Sequence, residues 1–266
     1  MNDLAVLGRY IPGTSAIHRM DPRAKLLGSL AVMVIIFMAQ SFWSLAVCAV
    51  FVLGFFAISG IPFKSAFRSI VPLLFVVVIT ALLNIFFVHE GTVVFQWAFI
   101  TITTTGLIKA VFLAIRLVLL LLAMSLLTLT TATLDITDAF EYLLKPLTKL
   151  GVPAHELSMM MGIALRFLPQ FIIELQTIYR AQVSRGAQFK DGKLSMVRSL
   201  TIPLFTSAFR HAETLSLAMD ARCYHGAEGR SRLKPLSYSA LDRNAVFVLI
   251  FMLLCVMSAN FIPQTF

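Results

Sequence analysis

Charge is scarce in this chain. Only 13% of the 266 residues are Asp, Glu, Lys or Arg, against 59% hydrophobic. An ordinary soluble domain carries about 25% charged residues, so that class is excluded. Acid is the scarcer sign, with 13 Asp+Glu against 22 Lys+Arg. Almost none of it falls inside the long apolar runs, which leaves a proton-relay carrier poorly equipped. Cysteine is limited to Cys48, Cys223 and Cys255. Three scattered thiols make neither a disulfide framework nor a zinc pattern. The five histidines, His18, His89, His155, His211 and His225, form no HExxH or close pair. No G-x-S-x-G, phosphate-binding glycine loop or paired intramembrane carboxylate is present. Base-reading and aromatic-stacking signatures are missing too, so the basic balance does not point to nucleic acid.

Long apolar runs are what the chain has instead. A helix needs about 20 mostly apolar residues to cross a bilayer. Residues 26–63 hold no charge between Lys25 and Lys64, room for two short spans with a turn near Gln40 and Ser41. Residues 69–88, 117–134 and 244–266 are further uncharged runs. The expectation is an all-α polytopic membrane protein of about five spans, near 26–40, 43–60, 69–89, 108–132 and 244–262. No cleavable signal peptide is expected, because the first apolar run starts late and leads straight into a second.

The basic residues orient these spans. The lead carries Arg9, Arg19, Arg23 and Lys25, and the connection after the second span carries Lys64 and Arg68. Segment 136–243 holds 14 Lys+Arg against nine Asp+Glu, a +5 share of the net +9. By the positive-inside bias these parts are cytoplasmic. The uncharged turn at Gln40–Trp43 and the loop with His89 and Glu90 are then outside. Three regions follow: a membrane domain over 1–134, a cytoplasmic or interfacial helical region over 135–243, and a C-terminal membrane helix over 244–266. The Thr-rich stretch between Gly91 and Gly106 reads as an outside loop or a re-entrant piece. Lys109 and Arg116 enter an apolar run, one suited to snorkel to the interface and the other to face a bundle seam.

The middle region reads as a string of helices. Asp138 with Glu141 three positions on has the form of a capping box opening a helix at Ala139. Residues 154–185 make a long apolar helix with a kink expected at Pro169. Glu156, Arg166 and Glu174 interrupt it and favour an interfacial position over a span. A second helix is expected from about Pro203 to Arg222. Phe205, Ala208, Phe209, Ala212, Leu215 and Met219 lie on one stripe, with Arg210 and Glu213 on the other side.

Each long helix ends on a similar tripeptide, Ser184-Arg185-Gly186 and Ala221-Arg222-Cys223. One reading is plain: a cation in a last turn gains about 0.3–1 kcal/mol from the helix dipole, and Gly186 is a left-handed cap. The other is that both arginines are presented to a partner. Both remain open on the residues alone.

The ordered set of pieces carries a resemblance. Asp21-Pro22-Arg23-Ala24-Lys25 precedes the first span, and Thr130-Thr131 with Asp135 follows the fourth. Leu165-Arg166-Phe167-Leu168-Pro169, Arg180–Gly186 and Ala218–Tyr224 complete the set. In that order they resemble the transmembrane T component of energy-coupling-factor transporters, the EcfT/CbiQ type, over nearly the whole chain. The resemblance implies a coupling subunit rather than an enzyme. Ser184, Arg185, Gly186 and Ala221, Arg222, Cys223 would end two coupling helices that enter grooves on two ATP-binding-cassette ATPase subunits. Those partners would bind ATP and Mg; no cofactor is implied in this chain and no metal. A separate substrate-binding membrane S component would capture a vitamin or a metal ion. The chain departs from the family pattern at Ser184, in place of alanine, and at Cys223, in place of glycine. Rival classes are a permease subunit of another ABC importer that carries its own substrate, and an intramembrane enzyme. The first needs a polar midplane site and the second paired catalytic groups.

Overall fold

A computed structural model describes residues 10–87, 92–97, 100–151, 153–186, 193–226 and 238–261. The chain divides into two compact units, one of residues 8–139 with 236–266 and the other centred on 140–235.

The first unit is a helical membrane bundle. Its elements are α1 (Ala16–Arg19), α2 (Pro22–Met38), α3 (Phe42–Ser59), α4 (Phe63–Phe87), α5 (Thr104–Thr130) and α9 (Ala240–Asn260). Local chemistry sets their ends. Asp21 accepts the N–H of Arg23 and Pro22 fills the first helical position, where no amide donor is needed. Ser41 and Ser44 form a capping box at the start of α3. Gly60 closes α3 with φ +68°, the left-handed region open to glycine. Ser239 and Asp242 form a second capping box at α9. Between α4 and α5 the Thr-rich stretch is an antiparallel hairpin, β1 (Val93–Trp97) and β2 (Ile100–Thr103), in register from Val93–Thr103 to Trp97–Ile100 with an irregularity between Val93 and Phe95. Thr and Val favour strands, which is why an apolar-rich run stops being helical here.

The core lies where α2, α3, α5 and α9 meet. Ile36, Cys48, Val52, Met252 and Val256 are fully enclosed there. The outward faces stay apolar, with Phe75, Phe87, Val50 and Phe251 exposed. Such faces suit hydrocarbon rather than water. Among the described residues, five helices are long and apolar enough to cross a membrane: α3, α4, α5, α9 and Ala154–Ser184. Three differences from the expected spans stand out. At 17 residues α2 lies at the lower limit for a span. The fourth expected span begins four residues earlier, at Thr104, because Thr103 caps it by accepting the N–H of Gly106. And Ala154–Ser184 meets the span criterion by length and composition, despite its charges.

Two contacts fix α2 against α5. Lys25 Nζ donates to the Thr130 carbonyl at 3.3 Å, and the Arg116 guanidinium donates to the Ala39 carbonyl. The spacing is 39 − 25 = 14 residues on α2 and 130 − 116 = 14 on α5, so the helices run antiparallel in step. Fourteen residues rise about 21 Å, short of a hydrocarbon core about 30 Å thick. The α2–α3 turn therefore needs partners from the protein. Arg116 supplies one, and Asn260 supplies two more, accepting from Gln40 N at 3.0 Å and donating to Met38 O at 2.9 Å. Arg116 also stacks over Phe112, 4.7 Å from the ring centroid. It faces a bundle seam.

Lys25 precedes the first apolar run and is buried. Its Nζ also donates to His18 O at 2.9 Å. Burial pushes its ammonium below the ordinary value, and Asp135, Asp242 and Asp21 pull it back up. The Asp-Pro-Arg-Ala-Lys piece is thus a structural knot: Asp21 starts α2, and Lys25 satisfies a terminal carbonyl of α5.

Candidate coupling site

The second unit contains the 3₁₀ stretch Lys145–Leu150 and two long helices, α7 (Ala154–Ser184) and α8 (Lys193–Asp220). The helix α6 (Thr133–Leu144) leads into it. Two expectations change here. Asp138 and Glu141 do not cap a helix start, since α6 already begins at Thr133. Glu141 instead meets His155 Nδ1 at 3.2 Å, a pairing 14 residues apart that no local pattern contains. The second long helix begins at Lys193, ten residues before Pro203, which lies inside it. A proline costs an interior hydrogen bond but the flanking turns hold the helix together. Likewise Pro169 lies inside α7.

The apolar stripe foreseen on α8 divides in two. Ala208, Leu215 and Met219 are partly buried, while Phe205 and Phe209 are exposed. The packed face includes Ser207 and His211, polar residues that a hydropathy pattern passes over.

The two arginine-bearing ends have the same backbone plan. At the end of α7, Arg185 is the C-cap with φ −82° and ψ 6°. Gly186 follows with φ +82°, and its N–H returns to Val183 O at 3.0 Å. At the end of α8, Cys223 follows Arg222 with φ +54°. Its N–H returns to Asp220 O at 2.9 Å, and Tyr224 N–H returns to Met219 O at 3.1 Å. This pair of bonds is the Schellman closure, in which the residue after the cap turns left-handed. Cys223 is the one non-glycine residue with positive φ among the described residues. A side chain there costs about 1–2 kcal/mol relative to the right-handed region. Cysteine thus occupies a backbone conformation that glycine enters at less cost. Gly226 is left-handed as well, at φ +92° three residues on.

Ser184, Arg185, Gly186, Ala221, Arg222 and Cys223 are all exposed. Neither guanidinium has a hydrogen bond or ion pair among the described residues. Toward the described residues, the five donors of each rigid fork are therefore open. No group of three His, Cys, Asp or Glu side chains that could hold a metal occurs among the described residues.

Residues 13–233 match the family model described as CbiQ, cobalt transport protein. The chain belongs to the CbiQ/EcfT family. It is 39% identical over 254 residues to the energy-coupling factor transporter transmembrane protein EcfT of Bacillus subtilis (strain 168), covering 94% of this chain and 96% of that protein. It is 46% identical over 241 residues to the protein of the same name from Acidaminococcus fermentans, covering 89% of each. The counterpart from Thermosediminibacter oceani is 45% identical over 240 residues, covering 89% of this chain and 90% of that protein. The likeness runs through both units, so the chain is a multi-pass transmembrane component of an energy-coupling-factor transporter. Both arginine ends fall inside the matched range 13–233.

Proposed function

We propose that this subunit couples two ABC ATPases to a substrate-binding S component, with Arg185 and Arg222 as the two ATPase anchors. The observation that carries this reading is the repeated helix end: an exposed arginine at the cap, then a left-handed residue that turns the chain away. A dipole effect alone needs only a cation near the last carbonyls. It does not need the same closure twice, least of all one that forces cysteine into a glycine conformation. Each arginine is exposed at the last turn of its helix. That suits insertion into a groove, where a buried arginine contributes about 2 kcal/mol or more.

In this reading ATP and Mg bind to the partner ATPases, and the chain carries no cofactor of its own. Segment 136–243 and the N-terminus face the cytoplasm, as the Lys and Arg distribution favours. The exposed apolar faces of the membrane unit offer a surface against which an S component can tilt. The cargo is a vitamin or a metal ion captured by that S component. Uptake by the reconstituted transporter, measured with ATPase content in the same sample, tests the assignment. Near-normal uptake by the Arg185→Ala, Arg222→Ala double variant would overturn it.

A further inference from the structure

The two long helices of the second unit touch through a polar chain that neither the sequence pattern nor the coupling reading uses. Gln170 Nε2 lies 2.9 Å from His211 Nε2. His211 Nδ1 lies 3.4 Å from Ser207 Oγ. Ser207 Oγ in turn donates to Glu174 Oε1. The donors can be assigned by elimination. The Ser207 hydroxyl proton points at Glu174 Oε1. Ser207 Oγ must then accept from His211 Nδ1–H, and His211 Nε2 must accept from the Gln170 amide. One direction of donation then runs from Gln170 through His211 and Ser207 to Glu174. Phe167 and Phe171 flank the ring, with centroids 5.9 and 6.0 Å away. Glu174, Ser207 and His211 are partly buried, while the Gln170 end of the chain of bonds is exposed.

This is not a hydrolase triad. There the carboxylate holds the imidazole and the imidazole takes the serine proton. Here the carboxylate takes the serine proton itself, and the hydroxyl gains no nucleophilic activation.

Its place on the helices gives it another role. Gln170 and Glu174 are one turn apart on α7, and Ser207 and His211 are one turn apart on α8. The contacts are in reverse order, Gln170 with His211 and Glu174 with Ser207, so the chains pass in opposite senses. The clasp is centred at residue 172 on α7 and 209 on α8. From there 185 − 172 = 13 residues lead to Arg185, and 222 − 209 = 13 lead to Arg222. Each arm is about 20 Å long at the helical rise. The two arginines are equidistant from the clasp and leave it on opposite sides. Pro169 and Pro203 both lie N-terminal to it. The weak points of the helices are therefore outside the arms that carry the arginines. With arms of this length, a change of about 10° in crossing angle moves one tip about 3 Å relative to the other helix. A displacement of that size exceeds the tolerance of a bidentate arginine contact.

We infer that Gln170, Glu174, Ser207 and His211 are positioning residues: their clasp is the fulcrum that sets the separation of Arg185 and Arg222. The partner it fits is a pair of acceptor grooves related by a near two-fold axis passing through the clasp. The functional part of this inference rests on the coupling reading above; the geometric part does not.

The test uses the full chain with spin labels at Val183→Cys and Leu217→Cys, both exposed, in a background of Cys48→Ala, Cys223→Gly and Cys255→Ala. Pulsed electron–electron distances are recorded for the chain alone. Ser207→Ala cuts both bonds at the centre of the clasp with the smallest change in volume, and Ser207→Thr keeps the hydroxyl. Expected is one narrow distance distribution for the parent and for Ser207→Thr, and a distribution at least twofold broader for Ser207→Ala. Glu174→Leu, which removes the terminal acceptor, should broaden it as well. In the complete transporter, without labels, Ser207→Ala should lower uptake per ATP hydrolysed at least fivefold while the ATPases stay attached, and Ser207→Thr should restore it. An unchanged distribution in both Ser207→Ala and Glu174→Leu overturns the fulcrum. If the distances broaden but the double arginine variant still transports normally, the coupling reading fails and the fulcrum stands.

Discussion

Asp242 accepts the backbone N–H of Asp21 at 3.0 Å across 221 positions of sequence. Its other oxygen accepts Ser239 N–H at 2.7 Å. One buried carboxylate therefore starts the last membrane helix and ties it to the entry of α2. A charged acceptor can do both because each of its oxygens serves a separate orphan amide. Asp242→Ala is expected to destabilise the purified chain by about 3 kcal/mol, since hydrogen bonds to a charged group contribute about 1.5–3 kcal/mol each. Asp242→Asn keeps one acceptor oxygen and should lose about half as much. Thermal unfolding in detergent decides this, and equal midpoints for all three proteins would contradict it.

Arg116 is the counterpart at the far end of α2. Its guanidinium satisfies the Ala39 carbonyl at a turn that stops short of the bilayer thickness. Arg116→Leu should leave that carbonyl bare and cost about 1–3 kcal/mol. Arg116→Lys should cost less, because an ammonium can still donate. Loss of expression or of thermal stability in Leu but not in Lys is the expected pattern; tolerance of Leu would show that the turn has other support.

Cys223 offers a gain instead of a loss. Its left-handed backbone costs about 1–2 kcal/mol, and glycine removes that cost while losing about 0.5–1 kcal/mol in chain entropy. Cys223→Gly should thus stabilise the α8 end by about 0.5–1 kcal/mol. Gly186→Ala should weaken the α7 end by about 1–2 kcal/mol. Amide exchange at Tyr224 should slow in the first variant, and faster exchange there would refute the closure.

Arg185 and Arg222 separate the coupling and dipole explanations by chemistry. If the helix dipole is all they serve, lysine works as well and each alanine variant loses only about 0.3–1 kcal/mol. If they anchor ATPases, lysine is a poor replacement for a planar fork. Each single alanine variant should then lose ATPase attachment or uncouple hydrolysis from uptake, and the double variant should be worse than either. Membrane insertion should be unchanged in all of them.

Orientation can be read with single cysteines at Asp3, Lys190 and Arg232. Impermeant thiol reagents applied to whole cells should leave all three unlabelled. Strong external labelling at position 190 would reverse the assignment of the coupling segment to the cytoplasm.

Much of this protein is written in one dimension. The spans of α3, α4, α5 and α9 are legible because a bilayer demands long uncharged runs, and length and hydropathy are properties of sequence. The two arginine ends are legible for a similar reason: a tripeptide after an apolar helix is a local signal. Tertiary structure decided what depends on meeting residues. Glu141 turned from a cap into the partner of His155, because an acid 14 positions away from an imidazole has no periodic signature. Lys25, Arg116 and Asp242 were charges beside apolar runs until folding placed each against an orphan backbone group of another helix. Glu174 reads as a break in an apolar helix and Ser207 and His211 lie off the apolar stripe, yet the three meet between α7 and α8. Hydropathy patterns record which face of a helix turns inward. They do not record which polar groups will find one another there, since those bonds form between distant positions and only the packed fold brings them within 3.5 Å.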